Sequence, residues 1–198
     1  MDKIYVYGAS GHGLVIADIA LSCGYKEVIF IDDSKLEYQK FEDIKKDSKT
    51  SIIIGIGDNK TRAKLQQKVK EKGFNIPTLI HQSAIISPTV TIGEGVVIMP
   101  NVVVNAMANI GDGSILNTGC IVEHECKIGS FVHVSPNTAL AGNVSVGNFT
   151  HIGIGSSIKQ SIKIGEDSIL GAGSVVVADI KNKVIAHGNP CKTIKDNI

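Results

Sequence analysis

Residues 110–129 read IGDGSILNTGCIVEHECKIG, and an aliphatic residue stands at every sixth position of this stretch. The same spacing continues without a break from residue 80 to residue 176. The seventeen aliphatic positions are Ile80, Ile86, Ile92, Ile98, Val104, Ile110, Leu116, Val122, Ile128, Val134, Leu140, Val146, Ile152, Ile158, Ile164, Leu170 and Val176. A period of six fits neither an α-helix nor simple strand alternation, so the pattern predicts short, identically bent strands stacked as a parallel β-helix of hexapeptide repeats.

A second and longer period, of eighteen residues, is superimposed on the six-residue period. Glycine follows the aliphatic residue at positions 93, 111, 129, 147 and 165. Three hexapeptides therefore make one coil, and the pattern predicts a triangular prism of five to six coils spaced about 4.8 Å apart. The repeat itself does not indicate the handedness of the coil.

Composition narrows the functional classes. The chain of 198 residues has a formal net charge of +1, from 20 lysines and arginines against 19 aspartates and glutamates. This balance does not favour binding to nucleic acid or to an anionic membrane. The first residues form a strand pattern without an apolar signal core, and no apolar run has membrane-spanning length, so we expect a cytoplasmic protein. The four cysteines lack CxxC spacing, and we expect reduced, buried packing residues.

The start of the chain predicts a nucleotide-binding βαβ unit. A strand at residues 3–7 leads into the loop GASGHG at residues 8–13, a helix follows to about residue 23, and a second strand at 28–31 ends in Asp32 and Asp33. In such units backbone N–H groups at the helix N-terminus approach a phosphate, and the acid accepts from a ribose or base. The loop departs from GxGxxG, so a tight turn without a ligand is the alternative interpretation.

The following residues complete a small α/β domain. We expect a short helix around residues 40–46, a third strand at 51–56, a helix at 60–72 and a fourth strand at 76–80, where Pro77 suggests a sheet edge. The predicted organisation is a Rossmann-like domain with a parallel sheet over residues 1–78, the β-helix over 79–185 and a C-terminal tail over 186–198.

The regular repeat is broken most densely at residues 117–126. His124 lies there between Glu123 and Glu125, and a carboxylate neighbour fixes the tautomer of an imidazole and stabilises its protonated form. Gly142 follows His124 by eighteen residues, so we expect it one coil away with its backbone open to approach. A base beside an exposed N–H is the pair of groups that acyl transfer needs. The alternative is a solvated polar edge.

Two further histidines, His133 and His151, are eighteen residues apart and should stack on adjacent coils. His124 and His133 are separated by nine residues, which is half a coil. They therefore lie on different sides of one prism and meet only across a subunit boundary. A zinc site would need three converging histidines, and we expect no metal.

Three segments carry a family resemblance: YGASGHG at residues 7–13, NTGCIVEHEC at 117–126 and HVSPNTALAGNV at 133–144. With these motifs the chain resembles the sugar O- and N-acetyltransferases of the left-handed β-helix superfamily over nearly its whole length. It most resembles the bacterial enzymes that act on UDP-4-amino-4,6-dideoxy sugars, as in the synthesis of UDP-N,N'-diacetylbacillosamine for protein glycosylation. The family's C-terminal Gly-x-Pro-Ala-Lys differs here because Cys191 replaces the alanine.

The resemblance implies an acetyl-CoA-dependent homotrimer with active sites between neighbouring prisms. It implies that His124 is the general base, that Glu125 raises its basicity and that Gly142 donates its N–H to the thioester oxyanion. The residues it implies for the nucleotide sugar are Ser10, Gly11, His12, Asp32, Asp33, Gly57 and Asn117. The residues it implies for the acetyl-CoA groove are His133, Ile154 and Ala172.

The implied reaction is direct transfer of an acetyl group to the C4 amine of the sugar. Within the enzymes, the alternative is an O-acetyltransferase acting on sialic acid or a related sugar, although the GASGHG loop with Asp32 and Asp33 favours a nucleotide sugar. From another class, the alternative is a sugar-nucleotide-binding protein without activity, or a structural β-helix. The sequence does not indicate the stereochemistry of the sugar, or whether the pathway is protein glycosylation or polysaccharide biosynthesis.

Overall fold

The computed structural model describes residues 3–45 and 50–197. The N-terminal domain contains the strands β1 (Lys3–Tyr7), β2 (Glu27–Ile31) and β3 (Ile52–Ile54), the helices α1 (His12–Ser22) and α2 (Asn59–Glu71), and a 3-10 turn at Phe41–Asp43. The three strands are parallel and lie in the order β2-β1-β3. The predicted βαβ unit is therefore confirmed.

Close backbone approach explains the glycines at the turn between β1 and α1. Gly8 has a φ of 122°, and a Cβ there would lie 2.9 Å from the carbonyl oxygen of Gly55. A Cβ on Gly13 would collide with the carbonyl of Gly8. The glycines thus let α1 begin directly against the carboxyl ends of β1 and β3.

Residues 76–80 do not form a fourth strand of this sheet, and that prediction is wrong. Leu79–Ile80 pairs instead with Val97–Ile98 and is the first strand of the prism. Pro77 has no N–H to donate to a ladder, so pairing begins only after it. The helix expected around residues 40–46 is a single 3-10 turn at Phe41–Asp43, and residue 46 lies outside the described residues.

From residue 79 the chain forms a triangular prism whose three faces are sheets of parallel strands, except that the last strand of one face is antiparallel. The covered face contains β4 (Leu79–Ile80), β7 (Val97–Ile98), β10 (Ile115–Leu116), β13 (His133–Val134), β16 (His151–Ile152), β19 (Ile169–Leu170), β21 (Val184–Gly188) and β22 (Cys191–Asp196). The apolar face contains β5 (Ile85–Ile86), β8 (Val103–Val104), β11 (Ile121–Val122), β14 (Ala139–Leu140), β17 (Ser157–Ile158) and β20 (Val175–Val176). The polar face contains β6 (Thr91–Ile92), β9 (Asn109–Ile110), β12 (Lys127–Ile128), β15 (Ser145–Val146) and β18 (Lys163–Ile164).

From β4 to β17 each strand pairs with the strand that lies eighteen residues later, whereas β19 pairs with β21 sixteen residues later. Leu116 is opposite Val134 on the covered face, and Val122 is opposite Leu140 on the apolar face. The second residue of each strand belongs to the six-residue series and is buried from Ile98 onward. The predicted parallel β-helix is confirmed, because each coil covers the apolar side chains of its neighbour.

The first residue of each strand points away from the prism axis and gives each face its character. On the covered face, Val97 and Ile115 are buried beneath the N-terminal domain. On the apolar face, Ile85 and Ile121 are exposed. The polar face presents Thr91, Asn109, Lys127, Ser145 and Lys163.

The segment expected as a separate tail over 186–198 contains most of β21 and all of β22, which extend the covered face, and residue 198 lies outside the described residues. Strand β21 pairs in parallel with β19, and β22 returns antiparallel to β21. At the other end of the prism, the N-terminal domain shares its apolar core with the first coils. Ile4, Ile16 and Ile19 lie in one buried cluster with Leu79 and Val97.

We expect that Ile152→Ala lowers the free energy of unfolding by about 2–5 kcal/mol, because Ile152 is completely buried and the alanine leaves a cavity. Chemical denaturation measures the change. Ile194→Ala is the matched control: Ile194 is 54% exposed, and its truncation should change the stability by less than about 0.5 kcal/mol. Equal losses in the two variants would contradict the inward stacking.

Candidate active site

The predicted site residues of the prism, apart from His133 on the covered face, lie along the two edges of the apolar face. The turns that enter this face, here called the Asn117 edge, comprise residues 117–118, 135–136, 153–154 and 171–172. The turns that leave it, here called the His124 edge, comprise residues 106–107, 124–125, 142–143 and 160–161. Strand β11 separates Asn117 from His124, so the two residues of one chain lie at opposite ends of the same strand.

His124 and Glu125 form the pair that the sequence predicted. Nδ1 of His124 lies 3.0 Å from Oε2 of Glu125, and both side chains are more than half exposed. When the carboxylate accepts from Nδ1–H, Nε2 is the ring nitrogen left to take a proton. The pair is therefore arranged as a base with an orienting carboxylate.

Gly142 lies directly against the His124 ring, as the eighteen-residue period predicts. A Cβ on Gly142 would lie 2.5 Å from both Cε1 and Nε2 of His124, so the imidazole occupies the space that any other side chain would need. The carbonyl of Gly142 accepts from the N–H of Ser161 at 2.9 Å. Within residues 3–45 and 50–197, the Gly142 N–H has no hydrogen-bond acceptor. A base and an unpaired N–H donor thus lie side by side.

Asn117 contacts His133 on the next coil. The N–H of Thr118 donates to Oδ1 of Asn117 at 2.8 Å, which directs the amide nitrogen Nδ2 toward Nε2 of His133 at 3.0 Å. Because Nδ2 is a donor, Nε2 must be an unprotonated acceptor, and the neutral ring carries its proton on Nδ1. These two consecutive hydrogen bonds therefore fix the tautomer of His133.

Three histidines form a cluster between the N-terminal domain and the covered face. The ring centroid of His133 lies 5.9 Å from that of His12 and 4.7 Å from that of His151. Ser135 Oγ lies 3.0 Å from Nε2 of His151, in the same relation that Asn117 has to His133 one coil earlier. The predicted stacking of His133 on His151 is confirmed.

Burial keeps these rings neutral. It lowers the pKa of His12 to about 4, with a further contribution from the charge of Arg62. Burial lowers the pKa of His133 to about 3, and His151, Arg62 and His12 add to the effect. The pKa of His151 is also lowered, by burial and by Arg62. At neutral pH the cluster therefore offers imidazoles as hydrogen-bonding groups without charge.

The contact between His12 and His133 was not predicted from the sequence. The sequence predicts His12 in the nucleotide loop and His133 in the acetyl-CoA groove, and it does not predict that these two sites adjoin. The structure brings the two rings together because α1 begins over the covered face of the prism. Contacts between two domains leave no period in either segment, so no sequence signal was available for this one.

Asp32 holds the glycine-rich loop. Its Oδ2 accepts from the N–H of Ala9 at 3.1 Å, and its Oδ1 accepts from the N–H and Oγ of Ser34. Burial alone would raise the pKa of Asp32, but these hydrogen bonds outweigh it and lower the pKa. Asp32 is thus an ionised carboxylate at the carboxyl end of β2, where the sequence placed it.

Asp33 binds a different set of groups from those that Asp32 binds. Its Oδ1 accepts from the N–H of Phe41 at 2.9 Å, and its Oδ2 accepts from Tyr7 and from Lys68. Burial works against ionisation, but the hydrogen bonds, that of Tyr7 foremost, lower the pKa of Asp33. Asp33 therefore joins β1 to α2, and the sequence did not distinguish its role from that of Asp32.

The remaining predicted site residues lie near one or other of these groups. Ser10 and Gly11 are exposed in the turn before α1, and Gly57 follows β3 beside His12. Ile154 and Ala172 are exposed on the Asn117 edge, one and two coils beyond residue 136. His12, His133 and the Asn117 edge therefore adjoin one another, whereas His124 lies on the other edge.

The described ranges contain no group of three or more histidine, cysteine, aspartate or glutamate side chains arranged to hold a metal ion. Cys120 and Cys126 are buried, Cys23 and Cys191 are partly buried, and all four are free thiols. No helix among the described residues has both the length and the apolarity needed to cross a membrane.

We expect acid destabilisation from the histidine cluster. Below the ordinary pKa of 6.5, the unfolded chain binds protons that buried His12 and His133 exclude, so stability falls as the pH drops from 6.5 toward about 4. The melting temperature of His133→Asn should therefore fall less than that of the wild type between pH 7 and pH 5. His187→Asn, which changes an exposed histidine, is the control and should follow the wild type. Equal slopes for His133→Asn and the wild type would mean that folded His133 binds its proton normally.

Comparison with known proteins gives matches over the whole chain. A family model described as the PglD N-terminal domain matches residues 3–69. The acetyltransferase domain of PglB from Neisseria gonorrhoeae FA1090 is 35% identical with a TM-score of 0.92, and the match covers 98% of this chain and 100% of that one.

Two further solved structures show the same likeness. Perosamine N-acetyltransferase from Caulobacter crescentus, solved as a histidine variant in complex with CoA and GDP-perosamine, is 35% identical with a TM-score of 0.90, and the match covers 99% of this chain and 98% of that one. WeeI from Acinetobacter baumannii AYE is 26% identical with a TM-score of 0.90, and the match covers 98% of this chain and 100% of that one. With these identities and this coverage, the chain belongs to the family of sugar N-acetyltransferases in which a PglD-type N-terminal domain precedes a left-handed β-helix.

Proposed function

We propose that this chain is an acetyl-CoA-dependent N-acetyltransferase acting on the C4 amine of a UDP-4-amino-4,6-dideoxy sugar, with a product of the UDP-N,N'-diacetylbacillosamine type. The observation that carries the proposal is the contact of His124 with Gly142, which puts an imidazole base beside an unpaired N–H on the next coil. The similar Caulobacter protein supports the chemistry, since it is an N-acetyltransferase in complex with CoA and a nucleotide sugar.

In the proposed reaction, Nε2 of His124 removes a proton from the sugar amine as the amine attacks the thioester carbon. A C–N bond forms and the C–S bond breaks, so coenzyme A leaves as the thiol once its sulfur has taken a proton. Glu125 orients His124 through Nδ1 and stabilises the imidazolium. The Gly142 N–H donates to the carbonyl oxygen as that oxygen becomes negative. The transfer is direct and needs no acyl-enzyme.

We infer that the active form is a homotrimer in which the His124 edge of one prism faces the Asn117 edge of the next. A single chain keeps these edges at opposite ends of β11, so it does not bring His124 to Asn117. The apolar face supports association, because Ile85 is 67% exposed and Ile121 is 38% exposed. Burial of such side chains against a second copy is favourable.

The turn before α1 is the proposed site for the nucleotide phosphates. A Cβ on Gly11 would meet nothing within 4 Å, and α1 has no side-chain cap on its first N–H groups. Open N–H groups at a helix start favour a phosphate. Ser10 and His12 flank this turn, and Asp32 holds it through Ala9. Asp33 is instead held by Tyr7 and Lys68, away from this turn, so we expect Asp32 to lie nearer the nucleotide.

The Asn117 edge is the proposed groove for acetyl-CoA. His133 and Asn117 lie at its start, and Ile154 and Ala172 follow on later coils with exposed side chains. Neutral His133 accepts from Asn117, so the groove presents no charge near the thioester. An apolar and uncharged groove suits a pantetheine arm.

We expect rapid thiol release from acetyl-CoA when the purified protein is given UDP-4-amino-4,6-dideoxy-N-acetylglucosamine. GDP-perosamine in a parallel reaction tests a second nucleotide sugar, which differs in both its nucleotide and its sugar, and free sialic acid tests O-acetylation. Faster turnover with GDP-perosamine would replace the proposed nucleotide sugar. Release only with sialic acid would replace the proposal with O-acetylation, and failure to bind acetyl-CoA would favour a protein without activity.

We expect that His124→Ala lowers kcat by roughly two to four orders of magnitude, the usual loss for a general base. His81→Ala is the matched control: it removes an imidazole from the first coil, far along the chain from the proposed site. A His124→Ala enzyme that kept most of its kcat would exclude this residue as the base. The KM for acetyl-CoA, measured with the same acceptor, shows whether the variant still binds its donor.

A further inference from the structure

Arg62 on α2 is completely buried between the N-terminal domain and the prism. Its guanidinium donates to five oxygens, all of them uncharged. The acceptors are Gly113 O at 2.6 Å from Nε, Gly57 O at 2.8 Å and Ile56 O at 3.2 Å from Nη1, and Asn59 Oδ1 at 2.7 Å and Phe131 O at 3.1 Å from Nη2. Within the described ranges, no carboxylate forms an ion pair with Arg62.

Asp58 acts on Arg62 only through its charge and forms no ion pair with it, and a buried guanidinium that is not ion-paired is an expensive way to hold two domains together. Burial lowers the pKa of Arg62 to about 10, yet the group stays protonated at neutral pH. An apolar side chain of similar size would join the domains without that desolvation cost. We therefore expect the Arg62 guanidinium to have a role other than holding the two domains together, since apolar packing would do that.

The acceptors of Arg62 lie on both sides of the domain contact. Gly57 and Ile56 belong to the turn after β3, while Gly113 and Phe131 belong to successive coils of the prism. The planar guanidinium holds these carbonyls in one fixed arrangement, which a flexible ammonium does not reproduce.

Gly57 links this arrangement to the histidine cluster. A Cβ on Gly57 would lie 4.0 Å from Cγ of His12, so the turn after β3 borders that ring. The Gly57 carbonyl also lies close enough to His133 to raise its pKa, against the larger effect of burial. Among the described residues, Nδ1 of His133 and Nε2 of His12 have no hydrogen bond of normal geometry. The position of Gly57 is therefore a main constraint on both rings.

The charge of Arg62 acts on the same rings. It disfavours protonation of His12, His133 and His151, which is what the acceptor role of Nε2 of His133 toward Asn117 requires. Asp58, at the start of α2, is the charged group that acts in the opposite direction on His151.

We propose that Arg62 is a positioning residue for acetyl transfer: it fixes the turn after β3 against the prism so that His12 and His133 keep their places, and it holds His133 in the neutral tautomer that contacts Asn117. This inference rests on the proposed function for its effect on catalysis. Its effect on the histidines is independent of any activity.

The geometric part is tested with Arg62→Lys, which keeps the charge and loses the planar fork. We expect kcat to fall roughly 10- to 100-fold, the scale of a misplacement of about 1 Å, while the melting temperature stays within a few degrees of the control. The control is Gln66→Met, which removes a buried polar contact of α2 to Glu94 one turn further along the helix without touching Gly57. Full activity in Arg62→Lys would overturn the proposal. Loss of folding in Arg62→Lys alone would also overturn it, by assigning Arg62 to stability.

The electrostatic part is tested with Asn59→Asp, which puts a carboxylate where Oδ1 now accepts from Arg62 and leaves the guanidinium in place. Asn59→Ser is its control, because both variants lose the hydrogen bond from Nδ2 to Phe149 O. NMR titration of 13C-labelled histidines, without any substrate, should show His133 and His12 titrating at higher pH in Asn59→Asp than in Asn59→Ser. Identical titrations would overturn this part. If the wild type turns over no acceptor, the proposed function fails, and the titration still decides whether the net charge at the contact of Arg62 with residue 59 sets the protonation of His12 and His133.

Discussion

Parallel pairing of each residue with the residue eighteen positions later is the constraint on which the rest of the structure depends. Inside the prism it stacks Ile152 on Leu170, and outside it stacks His133 on His151. The same pairing sets Gly142 against His124, at a distance that leaves no room for a side chain. One geometric rule therefore builds both the core and the contact of His124 with Gly142 that we propose for catalysis, and a single inserted residue would displace both.

The N-terminal domain gives the repeated side chains of the covered face an environment that the other two faces lack. Where it packs on the covered face, outward side chains lose contact with water, so His133 becomes a neutral hydrogen-bonding group instead of an exposed base. On the His124 edge, which no domain covers, His124 stays more than half exposed. Identical side chains on one scaffold thus acquire different chemistry because of what covers them.

The sequence predicted features that repeat and missed those that depend on docking. The six-residue series gave the prism, and the spacing of His124 and Gly142 gave their contact, because periodicity converts directly into position. Ile80 belongs to that series, so the prediction of a fourth N-terminal strand at residues 76–80 conflicted with evidence already present in the sequence. Arg62 was not singled out at all. Four of its five acceptors are backbone carbonyls from two domains, and every residue has such a carbonyl, so no sequence pattern marks these four.

The number of coils sets the length of the Asn117 edge, the groove that we propose for acetyl-CoA. Its corners at residues 118, 136, 154 and 172 rise by one coil each, so three intervals cover about 14 Å at about 4.8 Å per coil. The length of the edge therefore changes only in steps of one coil. Loss of one complete coil would shorten the edge by about 4.8 Å and leave the inward stacking intact, whereas a substitution of a side chain cannot alter its length.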